Sequence, residues 1–359
     1  MRASPGASWP VRVFVLAVLC ATLVGCAVPV PLRETSAEGA IVVDSIALEA
    51  QPRAAHWYLP PAEAPALVVL QHGFTRGCAN LRETTRRLMV EGLMALCVDV
   101  PMAGGNPALA EALARHLAGV QFAPDGRAVP RQVVVAGHSA GAVFALALGA
   151  RLEALAPGRL RGALLIDPVA PPAPAAPAAP AASPEAGVAA ASSTSSASGA
   201  LGASAVSAPS AGPAPFEAAL LAVSAEGRRP VLALLAPPHR CNAGANALPA
   251  LRRAEQAARE AGPSAFVIVQ LAEGATHADI EGENTDALAE WACGAVQPTR
   301  TAELRASIVD WLRGVAAPAR ADRKRPAARG AGVPSAPPAG SSTAPTSGTP
   351  QPGPSPASD

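Results

Sequence analysis

Arg131 to Gly149 reads RQVVVAGHSAGAVFALALG, with Ser139 near its centre. Val133 to Ala136 is short, apolar and mostly β-branched, the composition of a strand buried on both faces, whereas Ala142 to Leu148 is apolar and rich in good helix formers. Ser139 therefore stands where a strand turns into a helix. A turn that sharp strains the backbone at the serine and crowds the second residue on either side, so both of those residues must be small. Gly137 and Gly141 meet that need. A bare G-x-S-x-G string has little weight in a chain this rich in Gly, Ser and Ala. Strand before and helix after is the setting that turns the string into a device for presenting a nucleophilic hydroxyl.

Working outward from this turn, the same alternation recurs on both sides. Ala40 to Ala50 and His56 to Leu59 read as a half-buried hairpin. Ala66 to Leu70 is an apolar strand that runs into Gln71-His72-Gly73-Phe74. A helix over about Asn80 to Glu91, a strand Ala95 to Val100 and a helix Pro107 to Val120 follow. Beyond Ser139 come strands Gly162 to Ile166, Pro230 to Leu235 and Ala265 to Leu271, helix Leu248 to Ala261 and a closing amphipathic helix Thr301 to Val315. Strands that alternate with helices predict an α/β fold, a mostly parallel central sheet with helices on both faces.

A serine hydroxyl is a poor nucleophile until a base takes its proton, and a third group must orient that base. Of the six histidines, His56, His72, His116 and His138 precede Ser139, which leaves His239 and His277. His277 lies in a polar, Gly-containing loop past the final strand and is the preferred base; His239, past the strand ending at Leu235, is its rival. Asp167 is the only Asp between Ser139 and His277 and directly follows a strand, so it is the expected orienter. Glu273 is the nearest acidic rival on the N-terminal side of His277. Trp57, Tyr58, Met102 and Trp291 are available to line a pocket.

The order Ser139, Asp167, His277, with His72-Gly73-Phe74 upstream, resembles the α/β-hydrolase superfamily over roughly Ile41 to Val315. That resemblance implies an oxyanion hole formed by the backbone N–H groups of Ala140 and Phe74. It also implies a serine hydrolase that cleaves carboxylic esters through an acyl-enzyme, with a small-molecule ester as partner and no cofactor. The acid in Leu165-Ile166-Asp167-Pro168-Val169, placed after this strand and not the next, is similar to that of chlorophyllases and platelet-activating-factor acetylhydrolases. A non-catalytic envelope lipoprotein that uses the fold as a binding module stays open as an alternative, as does a peptidase or acyltransferase with the same three residues.

The chain ends carry a different message. Arg2 and Arg12 followed by the apolar run Val13 to Val24 form a secretory signal, and Leu23-Val24-Gly25-Cys26 resembles the bacterial lipoprotein box, which implies lipid on Cys26. The expected location is the cell envelope, anchored to a membrane and facing the periplasm or exterior. Cys78, Cys97, Cys241 and Cys293 then lie in an oxidising compartment, where the layout suggests bridges 78–97 and 241–293. No C-x-x-C or His/Cys cluster at ligand spacing is present, so no metal is expected. The 39 prolines fall largely in two low-complexity blocks. The expected partition is therefore a signal at 1–26, a linker at 27–39, one α/β domain at 40–316 interrupted by a disordered insertion at 168–213, and a disordered tail at 317–359. The net charge of +1, with the dense basic run Arg320 to Arg325 confined to the tail, gives no reason to expect nucleic acid.

Overall fold

The structure is a computed structural model that describes residues 32–171 and 215–317. The signal segment, Cys26, most of the insertion at 168–213 and nearly all of the tail at 317–359 lie outside the described residues. Among the described residues, nine strands form one sheet in the order β1-β2-β3-β5-β4-β6-β7-β8-β9. They are β1 (Leu32–Ser36), β2 (Gly39–Leu48), β3 (Gln51–Leu59), β4 (Leu67–Gln71), β5 (Met94–Val98), β6 (Val133–His138), β7 (Leu160–Ile166), β8 (Val231–Leu235) and β9 (Phe266–Gln270). The first three strands pair antiparallel, β3 meets β5 antiparallel, and every pairing from β5 through β4 to β9 is parallel. The chain thus has the α/β-hydrolase fold.

The α-helices that cover the sheet are α1 (Arg82–Val90), α2 (Pro107–Gly119), α3 (Gly141–Leu155), α4 (Pro215–Ser224), α5 (Leu248–Glu260), α6 (Ala287–Cys293) and α7 (Pro298–Ala316). The period of two along β6 explains the two layers. Val133 and Val135 join Leu113, Phe144, Leu148, Leu220 and Leu251 in one core, which α2, α3, α4 and α5 build. Val134 and Ala136 join Leu88, Leu304, Ile308 and Leu312 in the other, under α1 and α7. Each fully buried Val, Leu, Ile or Phe contributes roughly 1.5–3 kcal/mol relative to exposure, which is why these strands read as continuous apolar runs.

Two elements depart from expectation. β1 lies inside the segment 27–39 expected as linker and pairs with β2 from Leu32↔Val43 to Ser36↔Gly39. All five of its residues are exposed, so LRETS shows no apolar alternation by which burial could be read. α4 begins just past the low-complexity block, where the sequence reading places no element, and buries Phe216, Leu220 and Val223. Among the described residues, no helix is long and apolar enough to cross a membrane.

The sheet order reverses at β4, whose neighbours β5 and β6 lie on opposite sides of it. Crevices for ligands form outside the carboxyl ends of strands at such a point. The loops leaving β4 and β6 flank this one. At the same end Gln71 replaces a missing rung of the β4–β5 ladder: its Nε2 donates to the Val98 carbonyl at 3.1 Å and its Oε1 accepts from the Val98 N–H at 3.0 Å.

Candidate active site

Ser139 is the one residue of the turn between β6 and α3 with a positive φ, +56°. The glycines around it are required by contact. A Cβ on Gly137 would lie 2.2 Å from the Gly141 carbonyl oxygen, and one on Gly141 would lie 2.3 Å from the His72 carbonyl oxygen. The strained turn is held by neighbours: the Ser139 N–H donates to the Ile166 carbonyl at 3.0 Å, and the Ser139 carbonyl accepts from Ala142 N–H at 3.1 Å. Ahead of the first turn of α3, the Ala140 N–H has no intrahelical acceptor. The Phe74 N–H belongs to the loop after β4, and Phe74 and Ser139 line one cavity.

Asp167 leaves the end of β7 with φ +43° and is buried. Its Oδ1 accepts from the Ala236 N–H at 3.0 Å and from Asn242 Nδ2 at 3.2 Å, while its Oδ2 accepts from His277 Nδ1–H at 2.5 Å. With Nδ1 as the donor, Nε2 of His277 carries a lone pair. Asn242 is itself fixed, since its Oδ1 accepts from His239 N–H at 2.8 Å and Ala245 N–H at 2.9 Å. Ser139 and His277 line the same cavity of about 420 Å³. No hydrogen bond joins their side chains; catalytic contacts of this kind often tighten only when substrate is bound.

The His277 loop is tied down from several sides. Asp279 accepts from Thr276 N–H at 2.8 Å and from Gln297 N–H at 3.1 Å. Thr84 on α1 donates to the Ile280 carbonyl at 2.6 Å. His138, next to the nucleophile in sequence, donates from Nε2 to the His277 carbonyl at 2.9 Å, and the two rings lie 4.5 Å apart. Burial pushes the His138 pKa well down, helped by the nearby His277, so it acts as a neutral donor.

Arg76, on the loop that carries Phe74, donates from Nε to Glu281 at 2.8 Å and from Nη1 to Asp286 at 2.5 Å, with a second Nη2 contact to Glu281. Burial raises the pKa of Glu281 against the pull of Arg76. Asp286 also caps α6 by accepting from the Ala289 N–H at 2.8 Å. The opposite end of α6 is closed by the disulfide Cys241–Cys293; Cys78–Cys97 joins the segment after the Phe74 loop to β5.

Of the remaining sequence candidates, His239 makes no hydrogen bond to Asp167: its Nδ1 accepts from the Cys241 N–H at 3.4 Å in a short turn. Glu273 meets Arg300 through its backbone carbonyl. Trp57, Tyr58 and Met102 do not line the cavity but are buried in the core, and Trp291 is 73% exposed outside it. The cavity is lined instead by Phe74, Leu288, Ala289 and Ala292, with Arg76, Glu281 and Asp286. Apart from Phe74, these residues have no sequence signature, because they come from two loops and a seven-residue helix without periodicity. One group of ligand-type atoms also comes together: His56, Cys78 and Asp99 lie within 4.8 Å of one another. The Cys78 sulfur is bonded to Cys97 and Asp99 already accepts from His56 and from the Cys78 N–H, so this group is not a ready cation site.

No family model matches the sequence, and no curated protein does either. Among solved structures of similar fold is a dienelactone hydrolase from Anabaena variabilis, at 13% identity and TM-score 0.45, with 79% of this chain and 98% of that one covered. A fungal esterase from Rhizomucor miehei is similar at 14% identity and TM-score 0.47, covering 88% and 93%. The esterase domain of a Rhodothermus marinus protein is similar at 15% identity and TM-score 0.46, covering 76% and 98%. At these values the likeness carries no assignment of chemistry.

Proposed function

We propose that this protein is a serine hydrolase that cleaves carboxylic esters. The observation that carries the reading is the buried chain of contacts in which Asp167 accepts a hydrogen bond from His277 Nδ1–H, beside a cavity that the strained Ser139 also lines. In the proposed reaction His277 Nε2 takes the proton of the Ser139 hydroxyl as its oxygen attacks the acyl carbon. The N–H groups of Ala140 and Phe74 face the oxyanion of the tetrahedral intermediate, where each well-aimed donor is worth on the order of 3 kcal/mol. His277 then returns the proton to the leaving alcohol. Water activated by the same imidazole releases the acyl group.

We further propose that the enzyme resides in the cell envelope, lipid-anchored at Cys26. Support comes from the sequence of 1–26 and from the two disulfides, which form in oxidising compartments. One experiment tests both halves: fractionate cells and label with a fluorophosphonate probe. Wild type should label in the membrane fraction, Ser139→Ala should not label, and Cys26→Ala should label in the soluble fraction. Equal labelling of Ser139→Ala and wild type would remove Ser139 as nucleophile, and a Cys26→Ala protein still in the membrane would remove the lipid anchor.

A further inference from the structure

The cavity in front of Ser139 is uneven. Its charged lining consists of Arg76, Glu281 and Asp286, in contact with one another. One positive charge against two negative charges leaves this group one unit negative, and no other Lys or Arg lines the cavity among the described residues. The neighbouring cation, Arg240, is spent elsewhere: it donates to the carbonyls of Trp291 at 2.7 Å and Ala292 at 2.5 Å, and its guanidinium lies 4.8 Å from the centre of the Trp291 ring. Much of the remaining wall is apolar or small. α6 contributes Leu288, Ala289 and Ala292, and the Cys241–Cys293 bridge and Phe74 line the cavity with them. Phe74 is 60% exposed and Leu288 72% exposed, although large apolar side chains at such exposure are few among the described residues. Apolar side chains left open to water around a cavity gain by covering hydrocarbon.

We propose that the cavity-facing side of α6, with Phe74 and the Cys241–Cys293 bridge, is the subsite for the hydrocarbon chain of a neutral ester's acyl group, and that the Arg76–Glu281–Asp286 group turns away acyl groups that carry their own negative charge. This subsite rests on the hydrolase reading above and adds its substrate class. Ala289 and Ala292 set the room available, because their methyl groups are the smallest side chains that α6 offers to the wall. An anionic acyl group would meet a net negative lining with no unpaired cation to receive it, and a desolvated charge without a partner is costly.

The test measures kcat/KM for p-nitrophenyl acetate, butyrate and octanoate, and for the singly anionic p-nitrophenyl succinate, with each rate divided by the fraction of enzyme that a fluorophosphonate labels. For wild type, octanoate should exceed acetate by roughly tenfold or more, as expected for methylenes in an apolar pocket, and butyrate should exceed succinate by roughly tenfold or more. Ala289→Phe and Ala292→Val should each lower the octanoate-to-acetate ratio, the larger residue by more. Because rates are counted per labelled active site, a poorly folded variant does not imitate this change. A flat chain-length profile, succinate cleaved as well as butyrate, or ratios unmoved in both variants overturns the subsite while leaving the hydrolase reading intact. Wild type that neither labels nor turns over any ester overturns the hydrolase reading, and the subsite falls with it.

Discussion

Asp167 combines two properties that only a few residue types share. Its backbone sits at φ +43°, a region that Asn and Asp enter more readily than other non-glycine residues, and its carboxylate accepts from His277, Asn242 and the Ala236 amide. Asp167→Asn keeps the backbone preference and much of the bonding, so the fold should survive with a loss of about 1 kcal/mol. The amide would nevertheless present His277 with the wrong proton arrangement, and the same change in the serine-protease triad lowers kcat by about 10⁴. Asp167→Asn is therefore expected to lose at least about a hundredfold in kcat, whereas Glu273→Gln, which alters a side chain not bonded to His277, should do little. Steady-state kinetics of both purified variants decide the matter, and the opposite ranking would move the orienting role away from Asp167.

α6 is too short to be stable by itself, since isolated helices under about 12 residues are marginal in water, and none of its residues is buried. Its place is set by attachments. An exposed ion pair such as that of Arg76 with Asp286 contributes about 0–1 kcal/mol, whereas a bridge between residues 52 apart in sequence contributes about 4 kcal/mol in the chain-entropy account. The disulfide is thus the stronger of these two anchors, and Arg240 adds hydrogen bonds to the Trp291 and Ala292 carbonyls. Replacing Cys241 and Cys293 together by Ser should speed amide hydrogen exchange in 287–293 and in 239–243 while the amides of β4 to β8 keep their protection. Uniform acceleration across the sheet would show that the bridge supports the whole domain and not this wall alone.

Of the buried imidazoles, His72 and His138 have pKa values that burial lowers from the ordinary 6.5. In the unfolded chain both take up a proton near that value, whereas in the native protein they stay neutral to lower pH. The unfolded state therefore binds more protons over this window, and stability falls as pH falls. Stability from these groups is complete above pH 6.5 and is lost progressively below it, toward the depressed native values. Thermal melts should show a Tm that holds at neutral and alkaline pH and declines from about pH 6.5 to about pH 5, with a shallower slope for His138→Phe. A Tm independent of pH across that window would contradict neutral burial of the two rings.

The strand-to-helix turn at Ser139, the alternation of strands and helices, and the positions of Asp167 and His277 just past strand ends can all be read from local pattern, because burial on both faces writes itself as apolar runs and the strained turn demands Gly137 and Gly141. β1 escapes such a reading because an exposed edge strand needs only backbone partners, and α4 because low-complexity sequence masks its start. The cavity wall is hidden for another reason. Arg76 meets Glu281 across 205 residues of chain, His138 reaches the His277 carbonyl across 139, and α6 is held by a bridge, a salt link and the Arg240 hydrogen bonds, not by any periodic face. Contacts of that separation have no local signature, since nothing but the folding of the sheet brings their partners together.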